Sequence, residues 1–138
     1  MEKINYSAKV KQALADESPI VALESTVITH GLPMPKNLEV AQAMEASILS
    51  SGAIPATIGV LDGDIHIGLE PDELERLASS KTAVKISRRD IAGAMLNKLD
   101  GGTTVSGTMT LAEMAGLKIF ATGGVGGIHR GNLTDVSA

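Results

Sequence analysis

The chain has 138 residues, 43% of them apolar, a formal net charge of −4 and no cysteine. That length suits one domain with a core of useful size, and the missing thiols exclude a disulfide framework or a thiolate metal site. Tyr6 and Phe120 are the only aromatic residues and there is no basic run, which excludes stacking platforms for single-stranded nucleic acid and the electrostatic footprint of a DNA-binding protein.

Met1 to Tyr6 carries no apolar signal core and no apolar run nears membrane-spanning length, so the sequence predicts a cytoplasmic protein with no membrane partner. Tyr6 to Ala15 has helical spacing, with Val10 and Leu14 four apart. Ile20 to Leu23 reads as a short buried strand, leading into Glu24-Ser25-Thr26 and then Val27 to His30. A helix over Asn37 to Ser50 puts Leu38, Ala41, Met44 and Ile48 on one face, with Gly52 as its stop. Ile54 to Leu61 reads as a strand, and Asp62-Gly63 signals a hairpin into Ile65-His66-Ile67, which places His66 on the surface.

Pro71-Asp72-Glu73 opens a helix to Ser79 with proline early and acids in the first turn. Val84 to Ser87 is a further strand and Ile91 to Leu99 a helix. Thr103 to Thr108 is β-branched and rich in hydroxyls, reading equally as a ligand segment or a packed strand. Thr110 to Ala115 is a short helix stopped by Gly116, and Lys118 to Ala121 a strand. This alternation predicts an α/β fold: a mixed, mostly parallel sheet flanked by helices in three layers, α/β/α, as a single domain over residues 1–138.

Ligands of such sheets gather at the carboxyl ends of strands, and four polar clusters fall there: Glu24 to Thr26, Lys85 to Asp90, Thr103 to Thr108, and the turn after Ala121. That turn has five glycines within Gly123 to Gly131 and carries His129 and Arg130. A backbone so bare of Cβ atoms can present N–H groups to an anion. It fits neither the dinucleotide fingerprint nor the P-loop, and reads as a phosphate or sugar-phosphate loop or as a tight crossover. Glu24, at the end of a buried strand, reads as a desolvated acid suited to proton transfer, or else as an edge-exposed or a structural hydrogen-bonding residue. Lys85, Arg88 and Arg89 suit a phosphate dianion beside a helix start, or form a solvated run with Asp90 as a helix cap. His30 reads as a loop residue, structural or functional. Asp135 is the one acid close to the glycine turn and a candidate oxygen ligand for a divalent cation.

Together these segments resemble the pseudouridine-5'-phosphate glycosidase family, also called indigoidine synthase A-like. The matching blocks are Val21 to Pro33, Gly52 to Ile58, Ser87-Arg88-Arg89-Asp90, Thr103-Thr104-Val105, and Ala121 to Gly131 with Asp135 to Ala138. The resemblance implies reversible cleavage of the carbon–carbon glycosidic bond of pseudouridine 5'-phosphate to uracil and ribose 5-phosphate, with manganese or another divalent cation bound, in a homotrimer. Carried over by motif, Glu24 is the proton donor, Lys85, Val105 and Ser137 contact substrate, and Asp135 binds the metal. His30, Thr104, Thr122 and His129 are further site candidates.

The same resemblance implies that this chain corresponds to the amino-terminal half of the family fold. The family's lysine nucleophile falls beyond Ala138, and neither Lys98 nor Lys118 occupies its place. Covalent opening of the ribose depends on that lysine, so the expectation is little activity for this chain alone. The rival expectations are a non-catalytic binding or assembly module completed by a separate carboxy-terminal polypeptide, and a different sugar-phosphate lyase or aldolase.

Overall fold

The computed structural model describes residues 4–127. Its strands are β1 (Ile4–Tyr6), β2 (Ile20–Leu23), β3 (Ile54–Leu61), β4 (Asp64–Ile67), β5 (Val84–Ile86), β6 (Gly101–Thr103) and β7 (Ile119–Ala121). Its helices are α1 (Ala8–Ala15), α2 (Lys36–Ser50), α3 (Pro71–Ser79), α4 (Ile91–Leu96) and α5 (Val105–Met114). A π-helical turn, Val27–Gly31, follows β2, and a 3-10 turn, Arg88–Asp90, leads into α4.

The long apolar strand β3 is buried on both faces because helices cover both sides of it. Ala56, Ile58 and Val60 point toward α1, α4 and α5, where they meet Val10, Ala94 and Leu111. Thr57, Gly59 and Leu61 point toward α2 and α3, where Leu74 and Leu77 pack. The result, among the described residues, is a seven-stranded mixed sheet between two helical layers, as the alternation of elements predicts. β1–β4, β2–β3, β2–β7 and β5–β6 are parallel, and β3–β4 and β3–β6 antiparallel. Asp62 and Gly63, with φ of 52° and 80°, make the left-handed turn that the Asp-Gly pair signals.

Three expectations need correction. Tyr6 is not helical: Ile4–Tyr6 pairs with β4 as a strand, and α1 starts after Ser7, whose Oγ accepts the Val10 N–H at 3.2 Å. His66 is not a surface residue, its side chain being only 12% exposed. With β1 alongside and α3 above, β4 is an interior strand; the Asn5 amide meets His66 Nε2 at 3.2 Å and Glu73 Oε1 lies 3.0 Å from Nδ1. Finally, the segment after Thr103 is helical rather than extended. α5 begins at Val105, five residues before the expected start at Thr110, with the Thr104 hydroxyl accepting the Gly107 N–H. Capping and packing there override a β-branched local preference.

One half-buried acid is expected to couple stability to pH. Thr57 Oγ1 donates to Glu45 Oε1 at 2.5 Å beneath α2, and burial pushes the Glu45 carboxyl above its ordinary 4.5, partly opposed by the Thr57 bond and by Lys9. A raised folded-state value means that this group's stabilising contribution is full below 4.5 and is lost as pH rises through the folded value. Glu45→Gln keeps the acceptor for Thr57 and removes the charge. Urea midpoints are therefore expected to coincide at low pH and to favour Glu45→Gln at about pH 7; equal midpoints at both would refute the assignment.

Candidate active site

β2 and β6 share one edge of β3 and run toward each other. β2 pairs with Ile54 to Thr57 in parallel, β6 with Gly59 and Val60 in antiparallel register. At the seam a ladder cannot continue, and buried main-chain groups need other partners. Two hydroxyls supply them. Ser25 Oγ donates to the Ile58 carbonyl at 2.6 Å and Thr103 Oγ1 donates to the same oxygen at 2.8 Å. The Thr103 N–H donates to Ser25 Oγ at 2.8 Å, the Ser25 N–H to the Thr103 carbonyl at 3.2 Å, and Thr108 Oγ1 lies 2.8 Å from Thr103 Oγ1. All three side chains are buried.

This seam brings four strand ends together. β7 lies parallel to β2, and β5 parallel to β6, so the residues after β2, β7, β5 and β6 meet at one place. Glu24, half-buried, follows β2, and Thr122 follows β7; their strands are in register at Leu23 and Ala121. Thr122 Oγ1 donates to Glu24 Oε1 at 2.5 Å. A cavity of about 540 Å³ opens beside them, walled by Leu23, Val27, Met44 and Ile48 and floored by Gly123 and Gly124. Among the described residues Glu24 is the one ionisable group in its lining.

Lys85, half-buried, lies in register with Gly102 on the neighbouring strand and so shares its face. A Cβ on Gly102 would overlap Thr29 Oγ1 and stand 2.7 Å from the Ser25 carbonyl oxygen. The bare glycine thus lets the π-turn after Glu24 settle onto the strands that carry Lys85. The Thr104 hydroxyl accepts the Gly107 N–H at the start of α5 and lies 3.4 Å from Ser106 Oγ, and the Thr104 and Val105 side chains are buried; this segment can offer a ligand main-chain N–H from the first turn of the helix. Asp90 accepts from both the Ser87 N–H (3.0 Å) and Ser87 Oγ (2.5 Å), completing a capping box. Arg88 and Arg89 are exposed, Arg88 lining a second cavity of about 520 Å³ on the α5 side of β7. His30 is exposed, with Nδ1 2.7 Å from Thr29 Oγ1.

A family model described as indigoidine synthase A like protein matches residues 9–138. The chain belongs to the indigoidine synthase A-like family. A pseudouridine-5'-phosphate glycosidase 2 from Rhizobium johnstonii is 55% identical over 138 residues, covering 99% of this chain and 45% of its own length. A pseudouridine-5'-phosphate glycosidase from Staphylococcus aureus is 53% identical, covering 98% and 45%. The chain therefore spans about half the length of the curated relatives it matches. Among solved structures, prealnumycin C-glycosynthase AlnA in complex with ribulose 5-phosphate aligns with a TM-score of 0.82 at 41% identity, over 99% of this chain and 45% of that one. An indigoidine synthase A-like protein from Thermotoga maritima aligns with a TM-score of 0.82 at 32% identity, over 99% and 44%.

Glu24, Thr122 and Thr104 directly follow β2, β7 and β6, Val105 opens α5 one residue on, and Lys85 is the middle residue of β5. His129, Asp135 and Ser137 lie outside the described residues, and so does the carboxyl end of the glycine turn. Among the described residues no group of three or more His, Asp or Glu could hold a metal ion. Sequence reading missed the Ser25–Thr103–Thr108 hydroxyl cluster and the part played by α2 in walling the Glu24 cavity. The spacing of Met44 and Ile48 marks an apolar face, which gives no sign that it fronts a cavity rather than core.

Proposed function

We propose that this chain supplies the acid-bearing half of an active site that reversibly cleaves the C–C glycosidic bond of pseudouridine 5'-phosphate, giving uracil and ribose 5-phosphate. The observation that carries the reading is Glu24, among the described residues the one acid lining an apolar cavity at the ends of β2 and β7. The names of the relatives support the substrate, and the ribulose 5-phosphate complex of AlnA supports a pentose-phosphate ligand class.

Breaking this bond toward uracil requires a proton on the departing base carbon, and among the described residues Glu24 is the ionisable group lining the cavity that can carry one. The lining beside it is mostly apolar, and a bound substrate that displaces water from it would feel the acid more strongly. A phosphate dianion needs a compensating cation and fixed donors. Lys85 provides the cation, and the first-turn amides of α5 the donors. The nucleophilic lysine of the resemblance belongs to the part of the relatives' length that this chain does not span. Asp135 would contribute one oxygen ligand to a divalent cation, manganese in this reading. We also place the assembly in the cytoplasm as a homo-oligomer. A second reading, a non-catalytic assembly module completed by another polypeptide, draws on exposed Ile119 in β7, an edge strand among the described residues, and on exposed Met109 and Met114 in α5.

The phosphate assignment is tested in a completed enzyme: this chain joined to the carboxy-terminal remainder of the Staphylococcus aureus relative. Lys85→Ala is expected to weaken ribose 5-phosphate binding by about 1–3 kcal/mol in calorimetric titration, the range for losing a charge-assisted contact. Arg88→Ala and Arg89→Ala are expected to bind like the parent. Loss of affinity confined to an arginine variant would reassign the phosphate.

A further inference from the structure

A proton donor at Glu24 needs its carboxylate held in place. Its backbone sits one residue past β2, where the ladder has ended, and its side chain has several rotatable bonds. Such an acid does not hold one orientation without a partner, and misplacement by about 1 Å can cost on the order of 100-fold in rate. Among the described residues one group bonds the carboxylate: Thr122 Oγ1, on Oε1, 98 residues away in sequence.

Thr122 is itself held. The Gly124 N–H donates to Thr122 Oγ1 at 3.3 Å, and the Gly124 carbonyl lies 2.9 Å from the same hydroxyl oxygen. A hydroxyl has one hydrogen, so Glu24 Oε1 and the Gly124 carbonyl compete for it. With the hydrogen on Oε1, the bonds run in one direction, from the Gly124 amide through the Thr122 hydroxyl to the carboxylate, and each polarises the next.

We propose that Thr122 is the positioning residue for Glu24: it anchors Oε1, leaves Oε2 as the oxygen that meets the substrate, and ties the acid to the conformation of the glycine turn. This rests on the glycosidase reading for its consequence in catalysis. It does not rest on it for the coupling between Glu24 and the turn, which is a property of the chain itself. Glu24, Thr122 and Gly124 need no further partner to make that coupling.

Two measurements test it. In the completed enzyme, Thr122→Val removes the hydroxyl at nearly constant shape, and kcat for uracil release is expected to fall by about 10-fold or more with KM within about twofold. Thr122→Ser restores the donor and is expected to recover most of the rate. A Thr122→Val enzyme with unchanged kcat, or with its loss confined to KM, overturns the proposal. The second measurement uses the 138-residue chain and no substrate. Glu24→Ala is expected to displace the Gly124 amide resonance in the parent and to leave it in place when Thr122 is already Val. Equal displacement in both backgrounds overturns the coupling. If the unsubstituted completed enzyme releases no uracil, the glycosidase reading fails while the resonance comparison still decides the role of Thr122.

Discussion

Glu24→Gln in the completed enzyme is expected to lower kcat for uracil release by about two to four orders of magnitude, with KM little changed, the usual contribution of a positioned acid. The substitution isolates the proton. Gln has the shape of Glu and keeps a carbonyl oxygen for the Thr122 hydroxyl, so the cavity walls and the glycine turn stay as they are. What is lost is an ionisable group in a lining that has no other among the described residues. Steady-state kinetics on the two enzymes checks this; matched kcat values would leave Glu24 a structural role.

Gly107→Ala is expected to destabilise the fold by about 3 kcal/mol or more, the upper range for overpacking against atoms that cannot yield. Helix propensity alone predicts the reverse, since Ala is better than Gly by about 1 kcal/mol in a helix. Packing decides the sign. A Cβ on Gly107 would overlap the Ile86 carbonyl oxygen and stand 3.5 Å from Thr103 Cβ. Relief requires moving α5 off β5, which breaks the Thr104 N–H bond to that carbonyl, now 2.9 Å, and disturbs the Thr104 cap. Gly93 is the control. It is helical in α4 with open space around it, so Gly93→Ala is expected to gain about 0.5–1 kcal/mol. Guanidinium denaturation of the two variants gives the comparison, and two stabilised variants would mean that the α5–β5 contact is looser than described.

The layered α/β arrangement was legible because strand and helix periods alternate cleanly from Ile20 to Ala121, with proline, Asp-Gly and single glycines marking the joints. The errors have physical causes. Ile4–Tyr6 is too short to show a strand period, and only its pairing with β4 makes it one; that pairing in turn buries His66. Thr103 to Thr108 carries β-branched residues into a helix start, because a threonine cap and a glycine contact matter more there than local preference. At the site, Glu24 stood out as a lone acid after an apolar strand. Its partner Thr122 could be named as a candidate but its bond to Glu24 could not, since the contact exists only once β7 pairs with β2. The seam of Ser25 and Thr103 was hidden for the same reason: a hydroxyl that replaces a ladder bond looks, in sequence, like any other buried serine or threonine.

That this chain brings the acid of a C-glycosidase to the ends of its strands is tested most directly by uracil release from pseudouridine 5'-phosphate. The completed enzyme and its Glu24→Gln counterpart are followed side by side by chromatography. Stoichiometric uracil and ribose 5-phosphate are expected from the parent and near-background release from the variant. A folded completed enzyme that binds ribose 5-phosphate yet releases no uracil, or a Glu24→Gln enzyme as fast as its parent, would contradict it.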